Sequence, residues 1–218
     1  MSRFSIQEIT CPKCSYKGEF KMYDSANVSL DPELREKVLS GEIFRWTCPK
    51  CGENITILHN LLYHDMKNDF QVYFSPNDCA ELNKTLNGLM EKMPGARKTI
   101  RTVESLNVLN EKILIFEEGL NDIAIELIKA LIKFGPQNGL SKDTELRFNS
   151  YISKTKEGST GKILFNQILN GVPKKGFVMY EKENYDKILD DVLTKDKFKM
   201  ILYCDTINES WILKRIIK

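Results

Sequence analysis

The chain has 218 residues, with 32 Lys and Arg against 30 Asp and Glu, so its formal net charge is only +2. Hydrophobic residues make up 42% of it and charged residues 28%, which is typical of a folded globular protein rather than a disordered one. A nearly neutral chain is not typical of proteins that bind nucleic acid through a strongly basic surface. The N-terminus lacks the apolar core of a signal peptide, and no run approaches the about 18 apolar residues of a membrane span. We therefore expect a cytoplasmic protein with no membrane partner.

The first third of the chain has the pattern of short strands around one helix. Residues 18–30 are rich in β-forming residues and predict a strand. Asp31 as N-cap and Pro32 at the first helical position predict a helix start, and Gly41 predicts its end. Further strands are expected over residues 42–47, 53–60 and 68–74.

The middle of the chain changes to a helical pattern. Asn77 or Asp78 can cap a helix that runs through Met93. Apolar residues at spacings of three and four then predict helices over 106–116 and 123–134, joined as an αα-hairpin. The second of these is apolar nearly all round, which predicts burial between layers or at a subunit interface.

The last third resembles a small mixed-sheet module. Residues 136–143 (PQNGLSKD) have the composition of a linker. Beyond them, the order of predicted elements is three strands, a helix, a strand and a terminal helix. These elements are expected over residues 144–153, 162–169, 176–181, 185–193, 198–204 and 209–217.

The most informative motif is Cys-Pro-Lys-Cys, which occurs at residues 11–14 and again at 48–51. Two residues between cysteines let a tight turn aim both sulfurs at one ion about 2.3 Å away, and two such turns complete a tetrahedral set. Four thiolates leave no open position for water, so such a metal is structural rather than catalytic. The sequence therefore predicts a structural Zn²⁺ with these ligands: Cys11, Cys14, Cys48 and Cys51.

Three alternatives stay open from the residues alone. Iron is bound by the same four thiolates. A redox function is the second alternative, although thioredoxin-like sites have one CxxC at the start of a helix, whereas these pairs precede strands. Two unrelated turns are the third. The 33 residues between the pairs exceed the about 15–20 of a zinc ribbon, and the predicted helix after Pro32 accounts for the excess.

A few other residues are candidates for function. His64 and Asp65 can act as an acid–base pair, but adjacent residues in a strand point to opposite faces, so a turn or capping role is favoured. Cys79 and Cys204 are interpreted as small core residues, since no histidine is near either in sequence. Trp46 lies two residues before a cysteine pair and is expected to pack over that turn.

The chain resembles one known family. The paired CPKC blocks, the stretch that joins them and the LLYHDM run at 61–66 are similar to the CpXC family of bacterial and archaeal proteins, and the likeness extends into residues 108–132. The family is functionally uncharacterised. The resemblance therefore implies metal binding by the four matching cysteines and implies no activity.

These observations together predict an α+β chain in three parts. The three parts are a zinc-ribbon-like β domain with an inserted helix (1–76), a helical segment that packs on it (77–140) and a mixed α/β module (141–218). The leading hypothesis is a zinc-binding protein without enzymatic activity, whose structural site supports a module that binds a protein partner or self-associates. The alternatives are a nucleic-acid-binding zinc-ribbon regulator, and an enzyme with a site around His64 and Asp65 or in the C-terminal module.

Overall fold

The computed structural model describes residues 1–92, 99–135, 140–153, 160–198 and 204–216. These ranges contain both helices and strands in quantity, which confirms the α+β class. The strands are β1 (Arg3–Thr10), β2 (Lys17–Asn27), β3 (Arg45–Thr47), β4 (Asn54–Thr56), β5 (Leu61–Asp65), β6 (Phe70–Phe74), β7 (Thr99–Val103), β8 (Thr144–Ile152), β9 (Lys162–Leu169), β10 (Val172–Glu181) and β11 (Cys204–Asp205). The helices are α1 (Glu33–Leu39), α2 (Cys79–Met90), α3 (Leu106–Glu117), α4 (Asp122–Phe134), α5 (Lys182–Thr194) and α6 (Glu209–Ile216).

The chain forms two compact units. The first comprises Met1–Asn110 with Tyr203–Asp205, and the second comprises Glu111–Leu202 with Thr206–Lys218. The three-part division expected from sequence stays a prediction. Part of the predicted linker, residues 136–139, lies outside the described residues, as does the predicted helix end at Met93. Among the described residues, no helix is long and apolar enough to cross a membrane.

A six-stranded sheet forms the core of the first unit, in the order β1-β2-β5-β6-β7-β11. Strand β2 is parallel to β5, and β7 is parallel to both β6 and β11; the other neighbours are antiparallel. Every second residue of β5 and β6 is buried, as expected for strands with one face toward a core. Tyr63, Phe70 and Phe74 are among them, and the ring of Phe44 lies 5.4 Å from that of Phe74. This core is thus largely aromatic.

The start of α1 differs from the prediction. Its N-cap is Pro32, which makes no side-chain cap hydrogen bond, whereas a carboxylate oxygen of Asp31 accepts a hydrogen bond from the amide of Ser2 at 3.2 Å. The N-cap assignment of Asp31 is therefore wrong. The reason is β1, which the sequence pattern does not predict and which brings Ser2 beside this turn. The helix ends as expected before Gly41, whose φ of 71° is left-handed.

The segment before the second cysteine pair also differs in detail. The strand expected over residues 42–47 begins only at Arg45, because Glu42–Phe44 form a 3-10 turn. Strand β3 then pairs antiparallel with β4 in a two-stranded ribbon, with Trp46 opposite Ile55. This ribbon places the second Cys-Pro-Lys-Cys turn between its two strands.

The second unit is built around α4. Ten of its residues are buried, which confirms the burial predicted from its apolar composition. It contacts α5, α6 and β8. Asn121 caps it, since its side-chain oxygen accepts hydrogen bonds from the amides of Ile123 and Ala124. Strands β8, β9 and β10 form an antiparallel sheet beside it, with β9 in the centre.

The last strand does not join that sheet. The sequence pattern assigns residues 198–204 to the C-terminal module, but Cys204 and Asp205 pair parallel with β7 at the edge of the first unit; residues 199–203 lie outside the described ranges. The side-chain amide of Asn87 holds the strand there, accepting from the amide of Cys204 at 2.9 Å and donating to its carbonyl at 2.9 Å. Cys204 and Asp205 therefore pair outside the predicted C-terminal module, with a strand so far away in the sequence that no local signal indicates it.

A network of buried charges lies inside the second unit, and no motif indicates it. The ammonium of Lys112 is 3.0 Å from the carboxylate of Asp122 and 3.3 Å from that of Glu126. Lys129 is 3.1 Å from both Glu126 and Glu111. Burial alone lowers the pKa of Lys129, but Glu111 and Glu126 raise it above its usual value. Two lysines and three carboxylates thus lie within ion-pair distance inside this unit, and each lysine has carboxylate partners.

Candidate metal centre

The first Cys-Pro-Lys-Cys block forms a tight turn between β1 and β2. The amide of Ser15 donates to the carbonyl of Cys11 at 2.9 Å, and the amide of Cys11 donates to the carbonyl of Tyr16 at 2.8 Å. Strands β1 and β2 pair from Thr10 opposite Lys17 onward, so a regular ladder supports the turn. The turn therefore holds Cys11 and Cys14 on the same side.

The second block repeats this geometry between β3 and β4. The amide of Gly52 donates to the carbonyl of Cys48 at 2.9 Å, and the amide of Cys48 donates to the carbonyl of Glu53 at 2.8 Å. The equivalent residues Ser15 and Gly52 both have left-handed backbones, with φ of 55° and 71°. Glycine adopts this conformation freely, whereas serine adopts it at a cost. The two turns thus have the same backbone conformation, which suits Gly52 better than Ser15.

The two turns bring four sulfur atoms together. Their Sγ atoms all lie within 4.8 Å of one another; the Sγ atoms of Cys11 and Cys51 are 3.7 Å apart, and those of Cys14 and Cys48 are 3.6 Å apart. A disulfide requires about 2.05 Å. A tetrahedron with metal–sulfur bonds of about 2.3 Å has edges of about 3.8 Å. The spacing therefore fits four ligands around one ion and does not fit two disulfides.

An apolar shell surrounds the sulfurs. Phe20 and Trp46 form a buried cluster with Cys11 and Cys48, and partly buried aliphatic residues pack around it. The indole nitrogen of Trp46 donates to the carbonyl of Glu19 at 3.0 Å, which satisfies its only polar group. A Cβ atom on Gly18 would lie 2.8 Å from the Trp46 ring, so the indole needs glycine there. The predicted packing of Trp46 over the turn is confirmed.

The electrostatics of the cluster favour a cation. Burial opposes ionisation of Cys48, but the amides of Cys51 and Lys50 donate to its sulfur and lower its pKa to about 7. For Cys51, the amide of Glu53 lowers the pKa, but burial and hydrogen bonds with the other three thiols outweigh it and raise the value to about 12. One thiolate thus forms readily while a neighbour resists ionisation. A cation among the sulfurs removes that conflict.

An exposed ion pair joins the two turns at the surface. Lys13 in the first turn lies 3.0 Å from Glu53, which follows the second turn. A hydrogen bond to Glu53 and the negative charge of that carboxylate raise the pKa of Lys13. Lys13 is thus held mainly by Glu53, and Cys51 and Cys11 also raise its pKa. Sequence alone gave no reason to single out Glu53.

His64 lies within β5, and Asp65 is the last residue of that strand. Asp65 is buried, and one carboxylate oxygen accepts from the amides of Lys67 and Asn68 at 2.9 and 3.1 Å. The other accepts from the side chain of Asn68 at 2.6 Å. His64 is half-buried and alternates with Asp65 along the strand. Asp65 therefore caps the turn between β5 and β6, as the favoured prediction states, and this role occupies both its oxygens.

The two remaining cysteines lie apart from the cluster. Cys79 begins α2 and is 3% exposed, and Cys204 is fully buried in β11. Burial raises the pKa of Cys204 to about 12, and its sulfur donates to the side-chain oxygen of Asn83 at 3.2 Å. A buried thiol with such a pKa is a poor nucleophile. Their interpretation as core residues agrees with these positions.

Comparison with known proteins identifies a family but no individual related protein. No curated protein and no solved structure matches the chain. A family model described as CpXC protein matches residues 9–129, more than half of the 218 residues. The match includes both cysteine pairs, the LLYHDM run and most of the α3–α4 segment, so it supports the resemblance seen in the sequence. The four-cysteine turns and this match together establish that the chain belongs to the CpXC family.

Proposed function

We propose that Cys11, Cys14, Cys48 and Cys51 bind one structural Zn²⁺ ion, and that the protein acts by binding other protein surfaces rather than by catalysis. The observation that supports the metal is the spacing of the sulfurs, which is 3.7 Å between Cys11 and Cys51 and 3.6 Å between Cys14 and Cys48. Zinc fits because four thiolates in a tetrahedron are its typical structural donor set. Iron takes the same donors, so the ion's identity is the first point to test.

A closed donor set limits the chemistry of the site. With four protein ligands, the ion has no position for a water molecule or a substrate. Its contribution is folding energy, because the two turns and the shell around Trp46 depend on a common centre. Function then depends on the surfaces that the stabilised fold presents. We propose that one of these surfaces binds a protein partner or a second copy of the chain.

Metal analysis of the purified full-length chain tests the site. We expect one equivalent of zinc per chain, and tetrahedral sulfur coordination in the absorption spectrum after replacement by Co²⁺. Chelation should disorder the two turns and leave a measurable loss of β-sheet signal. Less than half an equivalent of any metal, together with an unchanged fold after chelation, would overturn the site. One equivalent of iron would overturn zinc alone.

Salt dependence separates protein binding from nucleic-acid binding. A protein that neutralises phosphates releases counterions, so its affinity for DNA or RNA falls steeply as salt rises. The nearly neutral charge of the chain leads us to expect weak retention on DNA and RNA columns, with none left at physiological salt. Salt-sensitive retention that persists at physiological ionic strength would replace the protein-binding proposal by a nucleic-acid-binding one.

A further inference from the structure

The four sulfurs of the metal centre differ in how far solvent reaches them. Cys11 and Cys48 are each 1% exposed and lie within the apolar shell. Cys14 and Cys51 are partly exposed instead. Oxidation of a cysteine depends on solvent access as well as on its thiolate charge. An oxidant in solution therefore reaches one cysteine of each turn more readily than the other.

Each partly exposed sulfur has a buried sulfur of the other turn as a neighbour. The Sγ atom of Cys51 lies 3.7 Å from that of Cys11, and the Sγ atom of Cys14 lies 3.6 Å from that of Cys48. A disulfide bond needs about 2.05 Å, so a small movement closes either pair. A cysteine that is oxidised beside a second thiol has the resolving partner found in redox-sensing sites. The centre thus combines an accessible sulfur with a protected one twice.

Two contacts hold the turns beside each other. Lys13 of the first turn lies 3.0 Å from Glu53, which follows the second turn. Beneath the sulfurs, the indole nitrogen of Trp46 in β3 donates to the carbonyl of Glu19 in β2 at 3.0 Å. Neither contact uses a sulfur atom, so modification of one cysteine does not itself break either of them. The neighbouring sulfur therefore stays within reach while a bond forms.

We propose that the four cysteines are a site of reversible oxidation, at which a hydroperoxide converts them into two disulfides that join the turns, Cys11–Cys51 and Cys14–Cys48, and the ion is released. A metal ligand has to be a thiolate, and a disulfide sulfur carries no negative charge. Each disulfide therefore removes two ligands. Such regulation acts on the proposed zinc site and rests on the existence of that site.

The oxidation needs no reactant beyond the hydroperoxide and protons. The partly exposed thiolate attacks the O–O bond and takes one oxygen to become a sulfenic acid, while the other oxygen takes up a proton and leaves as an alcohol, or as water from hydrogen peroxide. The neighbouring thiolate then attacks the sulfenic sulfur and displaces hydroxide, which a proton converts to water. Two sulfurs thus give two electrons to one hydroperoxide, and a second hydroperoxide oxidises the other pair.

The two cysteines outside the centre provide an internal control. Cys79 is 3% exposed and Cys204 is fully buried, with its sulfur 3.2 Å from the side-chain oxygen of Asn83. Neither belongs to the group of four sulfurs. Because an oxidant does not reach them in the folded chain, both should stay reduced.

Titration of the zinc-loaded full-length chain with hydrogen peroxide tests the exchange. We expect release of the bound zinc, followed with a metal-binding dye, together with loss of four of the six thiols. A dithiol reductant and added zinc should restore both. Cys79→Ser is the control variant and should release zinc at the same rate as the wild type. Zinc that stays bound under excess peroxide, or loss of all six thiols while the chain is folded, overturns the proposal.

Trypsin reads the pairing, because a lysine lies between the two cysteines of each turn. Cleavage places the four cysteines on separate peptides: residues 4–13, 14–17, 46–50 and 51–67. After the remaining thiols are alkylated, mass spectrometry should find the peptide of Cys11 joined to that of Cys51, and the peptide of Cys14 joined to that of Cys48. Disulfides within the turns, any other pairing, or zinc release without disulfides overturns the proposal.

A nucleophile that captures sulfenic acids tests which sulfur reacts first. We expect its label on Cys14 and Cys51, and a label on Cys11 or Cys48 instead would overturn the order set by exposure. A chain that binds one zinc and keeps it under peroxide would overturn the oxidation and leave the metal site intact. A chain purified with less than half an equivalent of metal would overturn the site, and with it the exchange of the ion for disulfides.

Discussion

The two units each bury a cluster of ionisable side chains, and they compensate its charge in different ways. In the first unit four sulfurs lie within 4.8 Å of one another, with no cationic side chain inside the cluster. In the second, Lys112 and Lys129 lie among three carboxylates at 3.0 to 3.3 Å. The network supplies its own cations from the chain. The four cysteines have no such cation from the chain. In the proposed metal site an ion from solution compensates their charge, so the stability of the cluster would depend on conditions outside the chain.

The largest effect should follow from breaking the cysteine cluster. Cys48→Ser removes one thiolate from the centre, and we expect zinc content to fall from one equivalent to near zero. Structural zinc contributes about 10–16 kcal/mol of apparent binding free energy in zinc-finger peptides, which is comparable with the whole stability of a domain. The turns of the first unit should therefore lose their structure. Metal analysis and NMR of the purified variant provide the measurement.

Cys79→Ser is the control for that change. It replaces a thiol that is equally buried, at 3% exposure, but that lies outside the cluster. It should keep one equivalent of metal with only a modest loss of stability. If both variants lose metal alike, the loss reflects global unfolding and the assignment of Cys48 fails.

Removing a cation from the network should have the next largest effect. Lys112→Met keeps most of the volume of this fully buried side chain but leaves Asp122 and Glu126 without its charge. Breaking one partner of a buried pair costs about 3–5 kcal/mol, because an uncompensated charge stays buried. Chemical denaturation should show this loss. Lys187→Met, at an exposed site on α5, should change stability by less than about 0.5 kcal/mol; equal effects of the two variants would contradict a network role.

The same contrast explains what the sequence could predict. The cysteine cluster is visible because each pair sits within four residues and its spacing fits a metal. The position of Trp46 over the turn follows from the same local pattern, whereas the left-handed backbone of Ser15 does not, since serine adopts that conformation at a cost. Local signals therefore specified most of the candidate site.

The network is invisible for the opposite reason. Glu111, Lys112, Glu126 and Lys129 have the composition of an ordinary solvated helix surface, and only the packing of α3 and α4 buries them. The same applies to β11, whose place beside β7 depends on a long crossover and on Asn87. Strand β1 is not predicted for a related reason. Both its faces are largely exposed, so no apolar stripe marks it in the sequence. Features fixed by contacts between distant residues are not predicted by periodicity.

Asp65 is a third kind of buried ionisable group, because its carboxylate is satisfied by backbone amides rather than by a metal ion or a lysine. Asp65→Ala removes the acceptor for the amides of Lys67 and Asn68 and for the Asn68 side chain. Donors left without a partner cost about 1–3 kcal/mol, so we expect a loss of about 2 kcal/mol in the free energy of unfolding. Asp24→Ala, at an exposed carboxylate paired with Arg3, should cost less than about 1 kcal/mol. A stability unchanged by Asp65→Ala would reopen a functional reading of the His64–Asp65 pair.

The smallest effect concerns the two cysteine turns themselves. Ser15 holds the left-handed conformation that Gly52 holds in the equivalent position. A non-glycine residue pays about 1–2 kcal/mol there, and glycine loses about 0.5–1 kcal/mol in chain entropy on folding. Ser15→Gly should therefore stabilise the metal-loaded protein by up to about 1 kcal/mol, while Gly52→Ala should destabilise it by a similar amount. Opposite shifts in the thermal midpoint at unchanged metal content would show that the turns are equivalent in backbone and unequal in sequence. Shifts of the same sign would mean that contacts made by the Ser15 side chain, rather than its backbone, decide the stability of the first turn.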